Sequence, residues 1–311
     1  MSDFGKYSFF NRLLALSLML FVVAGVLSGC TGFNKKLKNE QANQIAGKAN
    51  LFKHGYQTEH FPMAVYDRVY TDNIEATVYI GSLSRGIVNI NEVRPDPTPH
   101  DPVGLRLATK DKSKNLLYIG PPCAYLTDHA LKYCNNKYFT THRFSPKVIN
   151  AYSEILNKYR ARYNIQGYHL VGYGTGGAIA ALLAKKHPEI LSLRTVAGVV
   201  ESDVATRLAD KPAYTGSQNP SEEAFTLGVI PQHHFIGSED NLVRPAVLSS
   251  YVQSMGPSRC VRTTMVQGPS HNKGWVKHWP ALLDAPVDCQ AGDIQYQLEN
   301  PSVDDMLLEE F

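Results

Sequence analysis

The sequence lacks a marked charge imbalance: 31 Lys and Arg residues stand against 28 Asp and Glu, a formal net charge of +3 at pH 7. It also lacks a basic stripe interleaved with aromatic residues, the pattern of nucleic-acid-binding surfaces. No internal repeat is present, and proline and glycine follow no period. These absences argue against a solenoid, a low-complexity chain and a nucleic-acid partner. The chain is long enough for one large domain with a sizeable core.

No apolar run of comfortable transmembrane length is found near the N-terminus. The uncharged, mostly apolar run 13–27 follows Lys6 and Arg12 and has the length of a signal-peptide core. It ends in Leu27-Ser28-Gly29-Cys30, which resembles the lipobox of bacterial lipoproteins. The resemblance implies cleavage before Cys30, acylation of Cys30 and attachment to a membrane through that lipid anchor. The alternative is an uncleaved membrane anchor in which the cysteine is a coincidence.

The segments around the anchor predict the domain organisation. Thr31, rather than aspartate, follows the cysteine, which in Gram-negative lipoproteins favours the outer membrane. We therefore expect a lipid-anchored protein of the cell envelope that faces the periplasm. Residues 30–60 are polar and lack a sustained apolar period, which predicts a flexible tether after a signal peptide at 1–29. A domain at 61–290 and a C-terminal tail at 291–311 complete the prediction.

Cysteine is scarce, and its spacing favours disulfides over a metal site. Four cysteines remain besides Cys30, and in an exported chain they predict two disulfides with three possible pairings. We favour Cys123–Cys134 and Cys260–Cys289, because each closes a short local loop. A zinc site is the rival interpretation, but no two cysteines have the close spacing of a zinc knuckle. We therefore predict neither a metal nor a cofactor.

Apolar segments of strand length alternate with segments of helical period. This alternation predicts an α/β fold with a mostly parallel central sheet and helices on both faces. Such sheets bind ligands beyond the carboxyl ends of their strands. The proline-rich stretch 94–102 predicts an irregular loop, and 203–231 predicts a small cap or long insertion. The predicted strands are 76–81, 115–120, 168–172, 194–200, 233–237 and 260–266, and the predicted helices are 145–163, 176–187, 244–255 and 275–283.

The stretch Leu170–Gly177 carries the most information about chemistry. It reads as a strand, a tight glycine-rich turn and a helix, and it resembles the nucleophile elbow, Gly-x-Ser-x-Gly, of α/β-hydrolases. Gly172 and Gly176 match the two framing glycines. The position of the nucleophilic serine is occupied by Gly174.

Two further residues follow in the order that this fold requires, acid before histidine. Asp240 comes after a predicted strand and before a helix, in the acid position. His271 comes after the last predicted strand, where the family places its histidine. In this chemistry the acid orients the imidazole, and the imidazole accepts the proton of the nucleophile.

From about Ala76 to Pro280 the chain resembles a group of bacterial exported or lipoprotein α/β-hydrolases. The fold implied is the α/β-hydrolase fold, and the activity implied is hydrolysis of an ester or similar acyl bond. Besides Gly174, a second departure lies in 81–86, where the group carries an acidic, glycine-rich loop that we assign to the oxyanion region. The residues that carry the resemblance are the elbow, Thr77-Val78-Tyr79-Ile80, Asp96-Pro97-Thr98-Pro99, Asp101-Pro102, Pro121-Pro122-Cys123-Ala124-Tyr125, Gly216-Ser217-Gln218-Asn219-Pro220, His271, Gly274-Trp275-Val276 and Trp279-Pro280.

Other hydroxyl groups near the elbow are candidates to replace the serine. Thr175 follows the tip, but at an elbow this position contributes its backbone N–H to the oxyanion hole and its side chain departs in another direction. Ser82, Ser84 and Ser270 are interpreted as turn and capping residues. A retained pair of Asp240 and His271 could also act on water without covalent catalysis.

Three functions are compatible with these residues. The first is a degenerate hydrolase relative that binds a small molecule, lipid or peptide in the old active-site cleft, as the missing serine and altered loop favour. The second is an active ester or acyl hydrolase that uses Asp240 and His271 with a non-standard nucleophile such as Thr175. The third is an envelope lipoprotein whose role is attachment to a partner. We favour the first.

Overall fold

The computed structural model describes residues 36–72, 74–83, 96–127, 130 and 134–289. The predicted signal peptide, Cys30 and the predicted tail at 291–311 lie outside these residues. No helix in the described part of the chain is both long and apolar enough to cross a membrane.

One eight-stranded sheet forms the centre of the described domain. Its strand order is β1-β2-β4-β3-β5-β6-β7-β8, with β2 antiparallel to both neighbours and all other pairs parallel. This confirms the predicted α/β class with a mostly parallel sheet. The strands are β1 (Phe52–Gln57), β2 (Pro62–Val69), β3 (Ala76–Ile80), β4 (Asn115–Ile119), β5 (Tyr168–Tyr173), β6 (Ile190–Val196), β7 (Gln232–Gly237) and β8 (Val261–Val266).

Helices cover both faces of the sheet, and each face has its own apolar core. Ile155, Leu183 and Val247 lie in one core, whereas Ala42 and Trp279 lie in the other. The β3, β5 and β7 strands are buried, as expected of strands covered on both sides. The helices are α1 (36–47), α2 (Val103–Ala108), α3 (Pro146–Tyr163), α4 (Thr175–Lys186), α5 (Ser202–Leu208), α6 (Pro245–Met255) and α7 (Trp275–Leu283), with 3₁₀ segments at Asn136–Phe139 and Ala224–Leu227.

The long helix α3 begins where the sequence predicts. Ser145 has extended backbone angles at the N-cap, and Pro146 occupies the first helical position, where its missing N–H costs nothing. However, the Ser145 side chain makes no capping hydrogen bond. The helix ends at Asn164, which adopts the left-handed conformation that commonly stops helices.

The predicted flexible tether at 30–60 is wrong for residues 36–57. These residues form α1 and then β1, which pairs with β2 in the sheet. The sequence signal was weak because β1 is an exposed edge strand without an apolar face. The helix α1 buries only the small side chains of Ala42 and Ala46. Residues 36–57 therefore belong to the folded domain, which the prediction began at 61.

Other boundaries differ by a few residues. The strand predicted at 194–200 is β6, which ends at Val196 because the chain turns towards α5. Residues 203–231 contain most of α5 and the second 3₁₀ segment, so they form an insertion with little regular structure. The structure contains the disulfides Cys123–Cys134 and Cys260–Cys289, the pairing that local spacing favours.

Candidate active site

A sharp turn joins β5 to α4 at the carboxyl edge of the sheet. Its tip, Gly174, has φ 56° and ψ −123°, a conformation that strains a residue with a Cβ atom. The framing glycines are needed for packing: a Cβ atom on Gly172 would lie 2.5 Å from the Cα atom of Gly177, and one on Gly176 would collide with the Ile80 carbonyl oxygen. The backbone therefore turns as a nucleophile elbow does, with glycine at its tip.

Asp240 and His271 form a hydrogen-bonded pair beside this turn, in which the carboxylate is buried and the imidazole is partly exposed. His271 Nδ1 lies 2.9 Å from Asp240 Oδ2, and the Asp240 side chain has no solvent exposure. The other carboxylate oxygen accepts the backbone N–H groups of Leu242 and Val243 at 2.8 and 2.9 Å. Three hydrogen bonds thus fix the carboxylate, and the carboxylate orients the imidazole.

Tyr173, the last residue of β5, anchors the loop that carries the histidine. Its hydroxyl donates to the His271 carbonyl oxygen at 2.7 Å and lies 3.0 Å from Asn272 Oδ1. The position of the imidazole is therefore coupled directly to the strand that presents Gly174.

A side chain at position 174 would face the imidazole. A Cβ atom built on Gly174 would lie 3.5 Å from His271 Nε2. A serine hydroxyl one bond further would be within hydrogen-bond reach of that nitrogen. The structure thus brings together three of the four predicted site residues, namely Gly174, Asp240 and His271.

The fourth residue, Thr175, directs its hydroxyl towards the loop after β3. Thr175 Oγ1 lies 3.0 Å from Ser82 Oγ and accepts the Leu83 N–H at 3.2 Å. The Thr175 N–H in turn donates to Ser82 Oγ at 3.4 Å. Within the described residues, neither hydroxyl is hydrogen-bonded to His271.

Ser82 is the site residue that sequence reasoning undervalued. Its Oγ atom lies 2.9 Å from the position of a Gly174 Cβ atom, next to the space of the missing side chain. One signal could have found it: Ser82 closely follows β3, and β3 pairs directly with the elbow strand β5. Ser84 lies outside the described residues, and Ser270 makes no hydrogen bond with Asp240 or His271 in the described part.

The described residues contain no group of three or more His, Cys, Asp or Glu side chains arranged to hold a metal ion. The groups that the site itself offers are an imidazole, a carboxylate, two hydroxyls and backbone N–H groups.

Comparison with known proteins finds similar structures but no matching sequence family. No family model matches the chain, and no curated protein matches it. An esterase of Pyrococcus furiosus is 13% identical over 75% of this chain and 90% of its own, with a TM-score of 0.51. A puromycin-hydrolysing peptidase of Mycobacterium tuberculosis is 10% identical over 74% of this chain and 37% of its own, with a TM-score of 0.52. A bacterial membrane phospholipase A is 17% identical over 88% of this chain and 98% of its own, with a TM-score of 0.49.

Proposed function

We propose that this chain, which has the α/β-hydrolase fold, is a degenerate hydrolase that binds its ligand in the old catalytic cleft without covalent catalysis. The ligand is a small molecule, lipid or peptide with an acyl or related carbonyl group. One observation carries the proposal: the elbow tip that faces the Asp240–His271 pair is a glycine.

The first argument concerns the nucleophile. Covalent catalysis needs an oxygen or sulfur atom within hydrogen-bond reach of the general base. Gly174 offers none. The Thr175 hydroxyl is engaged by Ser82 and by the Leu83 N–H instead.

The second argument concerns the oxyanion. Acyl transfer requires preorganised N–H donors aimed at the oxygen that gains negative charge. At this site the Thr175 N–H donates to the Ser82 hydroxyl, and the Leu83 N–H donates to the Thr175 hydroxyl. A substrate carbonyl would have to displace these hydroxyls, which favours binding over turnover.

The third argument concerns stability. An elbow residue with a Cβ atom is held at a cost of about 1–3 kcal/mol, and glycine relieves most of it. Loss of the serine therefore leaves the fold intact while it removes the covalent step. A cleft with a fixed histidine and carboxylate remains available for a ligand.

The alternative is an active ester or acyl hydrolase with a non-standard nucleophile. The intact Asp240–His271 hydrogen bond favours it, because a positioned base retains its use in hydrolysis. Thr175 is the nucleophile that the sequence suggests. The Ser82 hydroxyl is a second candidate, since it lies close to the missing side chain.

Treatment of the mature protein with a fluorophosphonate probe tests the proposal. We expect no labelling of the wild type, because no hydroxyl of the described residues is hydrogen-bonded to the His271 imidazole. The matched positive control is Gly174→Ser combined with Ser82→Gly, which places a hydroxyl at the tip and makes room for it. Wild-type labelling that maps to Thr175 or Ser82 would replace the proposal with the hydrolase alternative.

A further inference from the structure

We infer that the cleft at Gly174 faces the membrane surface and takes a membrane lipid as its ligand. The surface concerned is the carboxyl-end rim, defined here as the residues that follow the carboxyl ends of the parallel strands around Gly174, Asp240 and His271. This inference rests on the proposed function and on the expected acylation of Cys30.

The described part of α1 begins at this rim. Lys38 Nζ lies 3.2 Å from Asp96 Oδ2 and donates to the Thr98 carbonyl oxygen at 3.1 Å. Asn39 Nδ2 donates to the Leu126 carbonyl oxygen at 3.1 Å. Leu126 lies in the segment that follows the carboxyl end of β4, so the first turn of α1 is tied to that edge of the sheet.

The loop that carries Thr98 leads on to the elbow. Thr98 Oγ1 accepts the Tyr125 N–H at 2.8 Å, which joins the two loops that hold α1. A few residues later, a Cβ atom on Gly104 would lie 3.3 Å from the Cα atom of Gly81 and 3.7 Å from the Cβ atom of Tyr173. The start of α1 and the site therefore lie on one continuous rim.

The C-terminal end of α1 points to the opposite edge of the sheet, where the parallel strands begin. Arg68 donates to the Ala49 carbonyl oxygen at 2.8 Å, just after α1. Arg68 pairs with Leu116, near the beginning of β4. With 12 described helical residues, α1 covers about 18 Å from the rim towards that edge.

The link between lipid and domain is short. Only residues 31–35 separate Cys30 from the described start of the domain at Lys36. Six residue steps reach at most about 20 Å when fully extended. An acylated Cys30 therefore keeps the rim close to the bilayer, whereas the opposite edge could approach it only with the link stretched back along α1.

Exposed apolar side chains alone would not select this orientation. Leu242 is 37% exposed on the rim, but Ile74, Leu191 and Val229 are exposed at the opposite edge, and Val229 is 78% exposed. Charge is no better guide, because Glu239 and Arg244 are both exposed on the rim. The contacts of the first turn of α1 with the rim determine which edge of the sheet lies near the lipid anchor.

The experiment measures which edge lies at the membrane. With Cys30 acylated and the other four cysteines in disulfides, an introduced cysteine is the only free thiol. Leu242→Cys and the matched control Val229→Cys are each labelled with an environment-sensitive fluorophore. The full-length acylated proteins are placed in phosphatidylethanolamine–phosphatidylglycerol vesicles that contain a lipid with a nitroxide on its headgroup. We expect several-fold stronger quenching at 242 than at 229.

A variant with a longer link tests whether the short link between Cys30 and α1 causes the orientation. Insertion of about 20 Gly and Ser residues after residue 33 should reduce the difference between the two positions, because the flexible link then reaches around the domain and only lipid binding in the cleft still orients the rim. Equal or reversed quenching with the native link, or an unacylated Cys30 by intact-mass measurement, would each overturn the inference.

Lipid as the ligand is tested on the same vesicles. Photocrosslinking with a diazirine-bearing phosphatidylglycerol should modify peptides that contain Leu83 or Leu242, and Gly174→Trp, which fills the cleft, should reduce this modification several-fold. Unchanged modification in Gly174→Trp would overturn the lipid assignment. Labelling of the wild type by fluorophosphonate would overturn the proposed function but would leave the orientation intact, so the two failures are distinguishable.

Discussion

His271 Nδ1 and Asp240 Oδ2 are 2.9 Å apart in a hydrogen bond, although the imidazole faces a glycine. The bond does not depend on a nucleophile, because backbone N–H groups hold the carboxylate and Tyr173 holds the histidine loop. The pair would stay in place whether or not the elbow carries a side chain. This independence makes the site suitable for substitutions that restore or remove single groups.

Restoring the serine should recover labelling only in part. In Gly174→Ser the new Cβ atom would lie 2.9 Å from Ser82 Oγ and 3.1 Å from Ser82 Cβ, so Ser82 must shift. We expect a loss of about 1–3 kcal/mol in the free energy of unfolding and weak fluorophosphonate labelling. Adding Ser82→Gly should strengthen the labelling. The expectation fails if the double variant labels no better than Gly174→Ser.

Thr175→Ala should leave the hydrolysis of a short-chain aryl ester at the background rate of the wild type. The hydroxyl of Thr175 points to Ser82 and Leu83 rather than to His271. Its loss should lower the free energy of unfolding by about 0.5–1.5 kcal/mol, because the half-buried Leu83 N–H loses its acceptor. Thr175→Ser, which keeps the hydroxyl, is the control. Robust wild-type turnover that disappears in a folded Thr175→Ala would identify Thr175 as the nucleophile.

Two buried histidines should make the domain sensitive to acid. Burial lowers the pKa of His234 from 6.5 to about 3 and that of His233 to about 4. Below pH 6.5 the unfolded chain binds protons that the folded chain does not, so stability is complete above pH 6.5 and falls as the pH approaches 4. The loss should approach about 1.4 kcal/mol per pH unit for each histidine. Urea unfolding at pH 7 and pH 5 measures it, and His233→Gln should flatten the dependence.

The disulfides should each contribute to stability. The bridges join residues 11 and 29 positions apart, and loops of this size contribute about 3 kcal/mol in the chain-entropy estimate. Cys260→Ser combined with Cys289→Ser should lower the free energy of unfolding by about this amount. Peptide mapping without reductant checks the pairing, and a peptide that joins Cys123 to Cys260 or Cys289 would contradict it.

Acylation should be visible on the intact protein. The lipobox predicts that the mature chain lacks residues 1–29 and carries acyl chains on Cys30. Mass spectrometry of protein extracted from the membranes of its native host measures both features. Cys30→Ala should abolish the acyl mass and release the protein from the membrane fraction, whereas an unmodified Cys30 in the wild type would contradict the prediction.

The sequence predicted the positions of Gly174, Asp240 and His271 relative to the strands better than it predicted the structure of residues 36–57. Gly174, Asp240 and His271 each follow a buried strand, and the short motifs around them are local signals. By contrast, β1 gains its stability from backbone pairing with β2. The apolar side of α1 is short, because only Ala42 and Ala46 are fully buried and Ile45 is partly buried beside them, so both signals in the sequence are weak.

The role of Ser82 could not be predicted from local signals, because it depends on the pairing of two distant strands. Ser82 meets the elbow only because β3 pairs with β5 in register. The direction of the Thr175 hydroxyl was expected from elbow geometry, but its partners, Ser82 and Leu83, come from this tertiary arrangement.

The bridge between Cys260 and Cys289 has a mechanical consequence. The disulfide joins Cys289, the last described residue, to Cys260, which directly precedes β8. The neighbouring residue Asp288 forms an ion pair with Arg262 of β8. A force applied to the chain beyond Cys289 would therefore pass through the disulfide into the sheet and bypass α7. A fusion partner or a surface attached at that end would load the sheet and leave the two buried tryptophans of α7, Trp275 and Trp279, undisturbed.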